Sequence, residues 1–164
     1  MIIELEPIFN NIGAEKTFSY EMSLTDEEIY GAKPFQTPIV VEGSVKNSTG
    51  IVKLNAKAEF VFTGSCDRCA TDLHSKMTIP VEHILVATLN NSEDGSFILV
   101  ENMRLDLDEL VTEDIFLELP SKQLCKDDCK GLCIYCGQNL NEGSCDCKKP
   151  IDPRLEALSR LLEE

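Results

Sequence analysis

Eight cysteines are the residues of this chain best suited to chemistry, and their spacing narrows what that chemistry is. Six fall within the 23 residues from Cys125 to Cys147, separated by three, three, two, eight and one residues. The other two form Cys66-Asp-Arg-Cys69, with 55 residues between Cys69 and Cys125. Zinc takes four thiolates about 2.3 Å away in a tetrahedron, and cysteines two residues apart reach one ion because the intervening turn aims amide N–H groups at the sulfurs. Eight thiolates fill two such sites. Cys133-Ile-Tyr-Cys136-Gly137 is a knuckle of this kind, and Asn139-Leu-Asn-Glu-Gly-Ser can turn the chain back to it at Cys145-Asp-Cys147. The expected division is Cys133, Cys136, Cys145 and Cys147 about one ion, with Cys66, Cys69, Cys125 and Cys129 about a second. Other divisions of the eight obey the same spacing rule.

Three rival chemistries use the same residues. Cys129-x3-Cys133-x2-Cys136 matches the spacing that holds a radical-forming iron–sulfur cluster, but such enzymes need a large barrel after the motif, and 28 residues remain. Cys66 and Cys69 as a thiol–disulfide redox pair would expect a βαβ context with a helix N-terminus lowering a thiol pKa. A regulatory switch, in which metal loss or oxidation unfolds the tail, is the third. His74, five residues after Cys69, could substitute as a ligand, though an exposed strand position explains it more simply, and His83 falls in a presumed strand bulge. No Ser–His–Asp set, phosphate loop or cleft carboxylate pair is evident in the sequence, so the expectation is a protein that is not an enzyme.

The elements that must position the cysteines are mostly strands. Short strands are expected at Ile2–Ile8 and Lys16–Met22, and little else is assigned before residue 37. A hairpin follows, turning at Asn47-Ser-Thr-Gly50. Its second arm alternates, with Val52, Leu54, Ala56, Ala58, Phe60 and Phe62 on one face, and runs into the first cysteine pair. The return strand carries Leu73, Ser75, Met77, Ile79 and Val81, with a bulge expected near Glu82-His83, where the apolar phase slips to Ile84 and Val86. Asn90–Gly95 reads as a loop and Phe97–Val100 as a short strand.

Asp106-Leu-Asp-Glu109 caps a helix over about residues 106–119, with Leu107, Val111, Ile115 and Leu119 on one stripe before Pro120. Residues 121–150 hold few aliphatic side chains, so metal must order them. Asp152-Pro153 opens a short C-terminal helix carrying Leu155, Leu158, Leu161 and Leu162. The fold class is therefore α+β: an antiparallel sheet, meander or partly open barrel, with one covering helix. Residues 1–120 form the sheet domain, 121–150 the metal-binding segment and 151–164 the last helix.

Charge bounds the partners. Lys and Arg number 15 against 29 Asp and Glu, a net charge of −14, and each four-thiolate zinc site adds about −2. Such a chain is poorly suited to grip bare RNA or an anionic membrane, and its electrostatic complement is a basic protein. Met1-Ile-Ile-Glu-Leu-Glu has no basic leader character, and no stretch reaches the roughly 18 apolar residues of a membrane span. A cytoplasmic protein is expected, and in that reducing compartment paired cysteines favour metal over disulfide.

Cys66-Asp-Arg-Cys69, followed after a helix by Leu124-Cys125-Lys-Asp-Asp-Cys129-Lys-Gly131-Leu132-Cys133-Ile-Tyr-Cys136-Gly137-Gln-Asn139-Leu140-Asn141-Glu-Gly-Ser-Cys145-Asp-Cys147 and then Ile151-Asp152-Pro153-Arg154-Leu155, resembles the YceD family of bacteria and plastids. Its members are called large ribosomal RNA subunit accumulation proteins. The resemblance implies a cytosolic or plastid protein needed for normal levels of large-subunit (23S) ribosomal RNA, and supplies no molecular mechanism. Some relatives keep the Cys-x-Arg-Cys segment and a later cysteine or histidine pair without the terminal knuckle, which fits Cys66, Cys69, Cys125 and Cys129 as a unit. Ile134 stands where proline often follows the knuckle's first cysteine, and this removes no ligand.

Joined, the two lines point to a ribosome-assembly factor whose acidic, zinc-stabilised scaffold binds a basic ribosomal protein or a pre-50S particle. Lys122, Lys126, Lys130, Lys148 and Lys149 make the C-terminal segment the place for any rRNA contact, and Arg68 is either an exposed contact residue or a hydrogen-bond donor to the sulfurs or a nearby carboxylate. The alternatives are a thiol-based redox enzyme or sensor using Cys66 and Cys69, and a zinc protein that binds rRNA directly.

Overall fold

In the computed structural model the described residues are 1–29, 31–88 and 97–147. They divide into two units, one from Met1–Ser65 and Asp72–Gln123, the other from Cys66–Thr71 and the chain from Leu124 onward. The expected loop at Asn90–Gly95 and C-terminal helix over 151–164 lie outside the described residues.

The first unit opens with β1 (Ile2–Glu4) and a one-turn helix, α1 (Glu6–Phe9). The expected strand over Ile2–Ile8 therefore stops early, because Pro7 has no N–H to give a strand partner and suits the first turn of a helix. Then come β2 (Glu15–Met22), β3 (Ile39–Ser48), β4 (Ile51–Ser65), β5 (Asp72–Val86) and β6 (Phe97–Leu99). A 3₁₀ turn at Glu101–Met103, β7 (Arg104–Asp106) and α2 (Leu107–Glu118) complete it. Strands β2-β3-β4-β5-β6 form one sheet in that order, and β1 pairs with β7 in a second.

The expected arrangements are a meander or a partly open barrel; the sheet does not close on itself, its strands lie in sequence order, and β2 through β5 are antiparallel throughout. One departure is β6, which runs parallel to β5 over Ile84–Val86. Val52, Leu54, Ala58, Phe60 and Phe62 of β4 are buried, as the alternation requires. Partner register between β4 and β5 is unbroken from Val52↔Leu85 to Ser65↔Asp72, so the expected bulge at Glu82-His83 is absent. Ile79, Val81, His83 and Leu85 share the covered face, and the sequence looked phase-shifted only because a histidine occupies an inward position. His83 Nε2 meets Asp114 Oδ2 of α2 at 2.7 Å. Pro80, mid-strand in β5, has β4 on one side and, among the described residues, no strand on the other, so its missing N–H costs no ladder bond.

Layered on that face are α1, β1, β7 and α2, whose buried residues include Ile3, Leu5, Ile8, Leu105, Leu107, Leu110, Val111 and Ile115. Asp106 caps α2 by accepting the Asp108 N–H, and Leu119 before Pro120 is extended, ending the helix where expected. Phe35, from the stretch left unassigned by pattern, is 1% exposed and meets the rings of Phe60, Phe62 and Phe116 edge-on at 5.4, 6.3 and 6.2 Å. The hairpin turn has Thr49 and Gly50 at φ 55° and 89°, the positive angles that a two-residue connection between twisted strands needs. Asn47 beside it points inward, donating to the Ile8 and Phe9 carbonyls and accepting from the Gly50 N–H. The opposite sheet face is polar, with Lys57 between Glu42 and Glu59 and Lys76 also on Glu59.

Candidate metal centres

Both cysteine clusters lie in the second unit, and the eight sulfurs gather as the spacing suggests. Cys66, Cys69, Cys125 and Cys129 form one group and Cys133, Cys136, Cys145 and Cys147 the other, with all sulfurs of a group within 4.8 Å of one another. In the first group Cys66 Sγ lies 3.8 Å from Cys129 Sγ, and Cys69 Sγ 3.6 Å from Cys125 Sγ. A tetrahedron with 2.3 Å metal–sulfur bonds has an edge of about 3.8 Å. The spacing fits a four-thiolate zinc site and is far too long for a disulfide. Cys66, Cys69, Cys129 and Cys133 are buried, while Cys125, Cys136 and Cys147 reach solvent.

The two Cys-x-x-Cys turns are built alike. Cys66 N–H bonds to the Thr71 carbonyl at 2.8 Å and Ala70 N–H to the Cys66 carbonyl at 2.8 Å; the same bonds join Cys133 to Gln138 and Gly137 to Cys133 at 2.8 and 2.9 Å. This pattern places the residue after the second cysteine in the left-handed region. Gly137 takes φ 73° freely, but Ala70 holds φ 54° with a Cβ.

Hydrogen bonds to sulfur sort the thiols. Burial opposes ionisation of Cys66, but the backbone groups of Cys125, Cys69 and Arg68 more than offset it and bring its pKa down to about 6. The backbone groups of Cys136 and Tyr135 do the same for Cys133, also to about 6. The Asn141 amide lowers Cys129. Cys125, though it reaches solvent, is pushed up to about 12 by partial desolvation of its sulfur and then by its neighbouring sulfurs, and Cys147 to about 12 by the Cys136 sulfur and then by partial desolvation. Cys145 is raised as well, the favourable Cys147 N–H being outweighed by the Cys133 sulfur and burial. Four thiolates this close repel one another unless a cation sits among them. The donor set therefore fits a divalent ion with soft-ligand preference.

Three contributions were not legible in the sequence. Arg68 is exposed, and its guanidinium donates to the Cys129 carbonyl at 2.9 Å, while its own carbonyl accepts the Leu132 N–H at 3.0 Å. The expected acceptors of Arg68 are the sulfurs or a nearby carboxylate, and the acceptor found is instead the backbone carbonyl of a ligand residue. Asn141, which reads as a turn former, donates to Cys129 Sγ at 3.2 Å and accepts the Lys130 N–H at 2.9 Å. Thr71 is hydrogen-bonded to Cys69 Sγ at 3.2 Å. Neither histidine joins a cluster: His74 is exposed beside Thr63, and His83 belongs to the pair with Asp114. The groove beside that pair is lined by Pro80, Glu82, Leu117 and Glu118, which bring no hydroxyl or thiol to it.

The family model described as large ribosomal RNA subunit accumulation protein YceD matches residues 54–162, from within β4 through both clusters. The chain belongs to the YceD family. Among its relatives is a protein of Arabidopsis thaliana named large ribosomal RNA subunit accumulation protein YCED homolog 1, chloroplastic, 27% identical over 80% of this chain and 50% of the relative. The protein YlbN of Bacillus subtilis is 28% identical over 73% of this chain and 74% of its own length. A Mycobacterium tuberculosis protein named as uncharacterized is 28% identical over 60% of this chain and 50% of its own. The chain thus spans about half the length of the mycobacterial and plant YceD relatives. No solved structure matches it. Among the described residues no helix is long and apolar enough to cross a membrane.

Proposed function

We propose that this chain is a non-enzymatic, cytoplasmic accessory factor in biogenesis of the large ribosomal subunit, required for accumulation of 23S rRNA. It acts by binding: an acidic scaffold, stapled by two zinc ions, holds a basic ribosomal protein or a pre-50S particle. The observation that carries this reading is the pair of four-sulfur clusters in a chain of this family. Zinc held by Cys66, Cys69, Cys125 and Cys129, and by Cys133, Cys136, Cys145 and Cys147, would supply shape rather than reactivity, since four protein ligands leave no open coordination position.

The thiol-redox alternative fits less well, because Cys66 and Cys69 converge with Cys125 and Cys129 rather than standing as a dithiol with an open approach. Direct rRNA binding meets the −14 charge. Depletion of the protein in its host, with 23S rRNA quantified against 16S rRNA, tests the function, and unchanged 23S levels would remove it. Elemental analysis of purified protein tests the metal. Recovery of ribosomal proteins or precursor particles at low salt, lost at high salt, tests the mode of action.

A further inference from the structure

The turn between the ligands of the second cluster exposes apolar groups instead of covering them. Ile134 is 85% exposed, Tyr135 47% and the nearby Leu132 38%, whereas Cys129 and Cys133 are buried. Isolated exposed apolar residues are ordinary on a protein surface. Here three occur within four consecutive positions, in a segment with almost no other large apolar side chain. The turn that bears them is held in shape: Tyr135 N–H points at Cys133 Sγ at 3.4 Å, and Cys133 is tied to Gln138 and Gly137 by backbone bonds. A partner covering this tip would lose little free energy to ordering it, and tyrosine is prominent among residues that dominate binding.

Charge selects the partner. In the second unit the described acidic residues are Asp67, Asp127, Asp128, Glu142 and Asp146, all exposed, against Arg68, Lys126 and Lys130. Lys126 is itself paired with Asp128 at 3.8 Å. Counted in sequence through Glu164, the unit carries nine acidic against seven basic side chains, and two filled clusters at about −2 each would make it more negative still. A base of single-stranded RNA could stack on Tyr135, but its phosphates would meet this negative field with few cations to neutralise them.

We infer that Leu132, Ile134 and Tyr135 form the apolar anchor of a docking surface for a lysine- and arginine-rich protein segment that itself carries an apolar side chain. The inference deepens the binding-factor reading and rests on it. The partner's cations lie along the acidic residues, and its apolar group covers Ile134 and Tyr135.

The test uses the metal-loaded full chain on an array of overlapping synthetic peptides covering the large-subunit ribosomal proteins, with poly-lysine and a poly-uridine oligonucleotide as probes alongside. Binding is expected on basic peptides that contain apolar residues. The double variant I134S/Y135S should lose it by about tenfold or more with metal content unchanged. Equal binding by wild type and I134S/Y135S overturns the inference, as does binding to poly-lysine as tight as to the best peptide. Tighter binding to poly-uridine, or self-association abolished by the same variant, overturns it in favour of RNA or a second copy. Complementation separates this from the function itself. If peptides bind but at another surface, I134S/Y135S will restore 23S rRNA in a depleted host and only the docking surface falls. If depletion leaves 23S rRNA unchanged, the function falls first.

Discussion

The side-chain amide of Asn141 donates to the sulfur of Cys129 across 3.2 Å, so the loop between ligands of the second cluster supports a ligand of the first. Outer hydrogen bonds of this kind stabilise thiolate charge and orient the ligand. Asn141→Ala should weaken metal retention at the Cys66/Cys69/Cys125/Cys129 site by about 10- to 100-fold and leave the other site unaffected. Asn141→Asp should be worse, because a carboxylate cannot donate and adds like charge. Competition against a chromophoric chelator, read as two steps, measures both.

Each cluster is expected to hold its own ion, so Cys129→Ser and Cys136→Ser should each lower bound zinc from about two to about one per chain. The two variants differ in what they loosen. With Cys136→Ser, amide hydrogen exchange should rise at Cys133 and Gly137, whose bonds close the second knuckle. With Cys129→Ser those amides should stay protected. Loss of both ions from either variant would refute separate sites.

Metal binding should release protons, and the number should depend on pH in a definite direction. Cys66 and Cys133, with pKa values near 6, are already largely thiolate at neutral pH, whereas Cys125 and Cys147, near 12, must lose their protons to the metal. Zinc affinity should therefore fall as pH falls, and fall more steeply below about 6, where protons compete for Cys66 and Cys133 as well. Calorimetry of zinc binding to the reduced metal-free protein, in buffers of different ionisation enthalpy, counts the protons. A release independent of pH would contradict the sorting of the thiols.

Ala70 occupies the position that Gly137 fills in the matching knuckle, with the same backbone bonds and a left-handed φ of 54°. Ala70→Gly should relieve that strain and stabilise the metal-loaded protein by up to about 1 kcal/mol, while Gly137→Ala should destabilise it similarly. Denaturant unfolding at fixed free zinc reads both.

Phe35 sits edge-on to Phe60, Phe62 and Phe116 in the sheet unit. Phe35→Ala should cost about 3–5 kcal/mol in urea unfolding, with both metal sites still filled. A cost below about 1 kcal/mol would mean the site collapses without loss.

Much of this molecule is written in short-range pattern. The period-two alternation of β4 predicts its buried face, Asp106 and Pro120 bracket α2, and the intervals between cysteines predict ligands for two sites, with the division the structure assembles one of several they allow. Each of these signals lives within a few residues of chain, or in the count of ligands one ion needs. Where an inward position carried a polar residue the pattern misled: His83 mimicked a bulge because its compensation, Asp114, lies 31 residues away on α2.

By itself, then, the order of residues determined an alternating sheet, one capped helix and eight thiols enough for two four-ligand sites, because hydrophobic period, capping chemistry and the spacing within each cysteine pair are local properties. Which four sulfurs gather together was decided by the fold. The tertiary structure alone decided that β6 runs parallel to β5, that Phe35 enters the core, that Asn47 turns inward to the Ile8 carbonyl, and that Asn141 reaches Cys129. Each of those depends on a partner brought near by folding, and an inward polar group or an unpatterned aromatic carries no mark of its partner until the chain has closed around it.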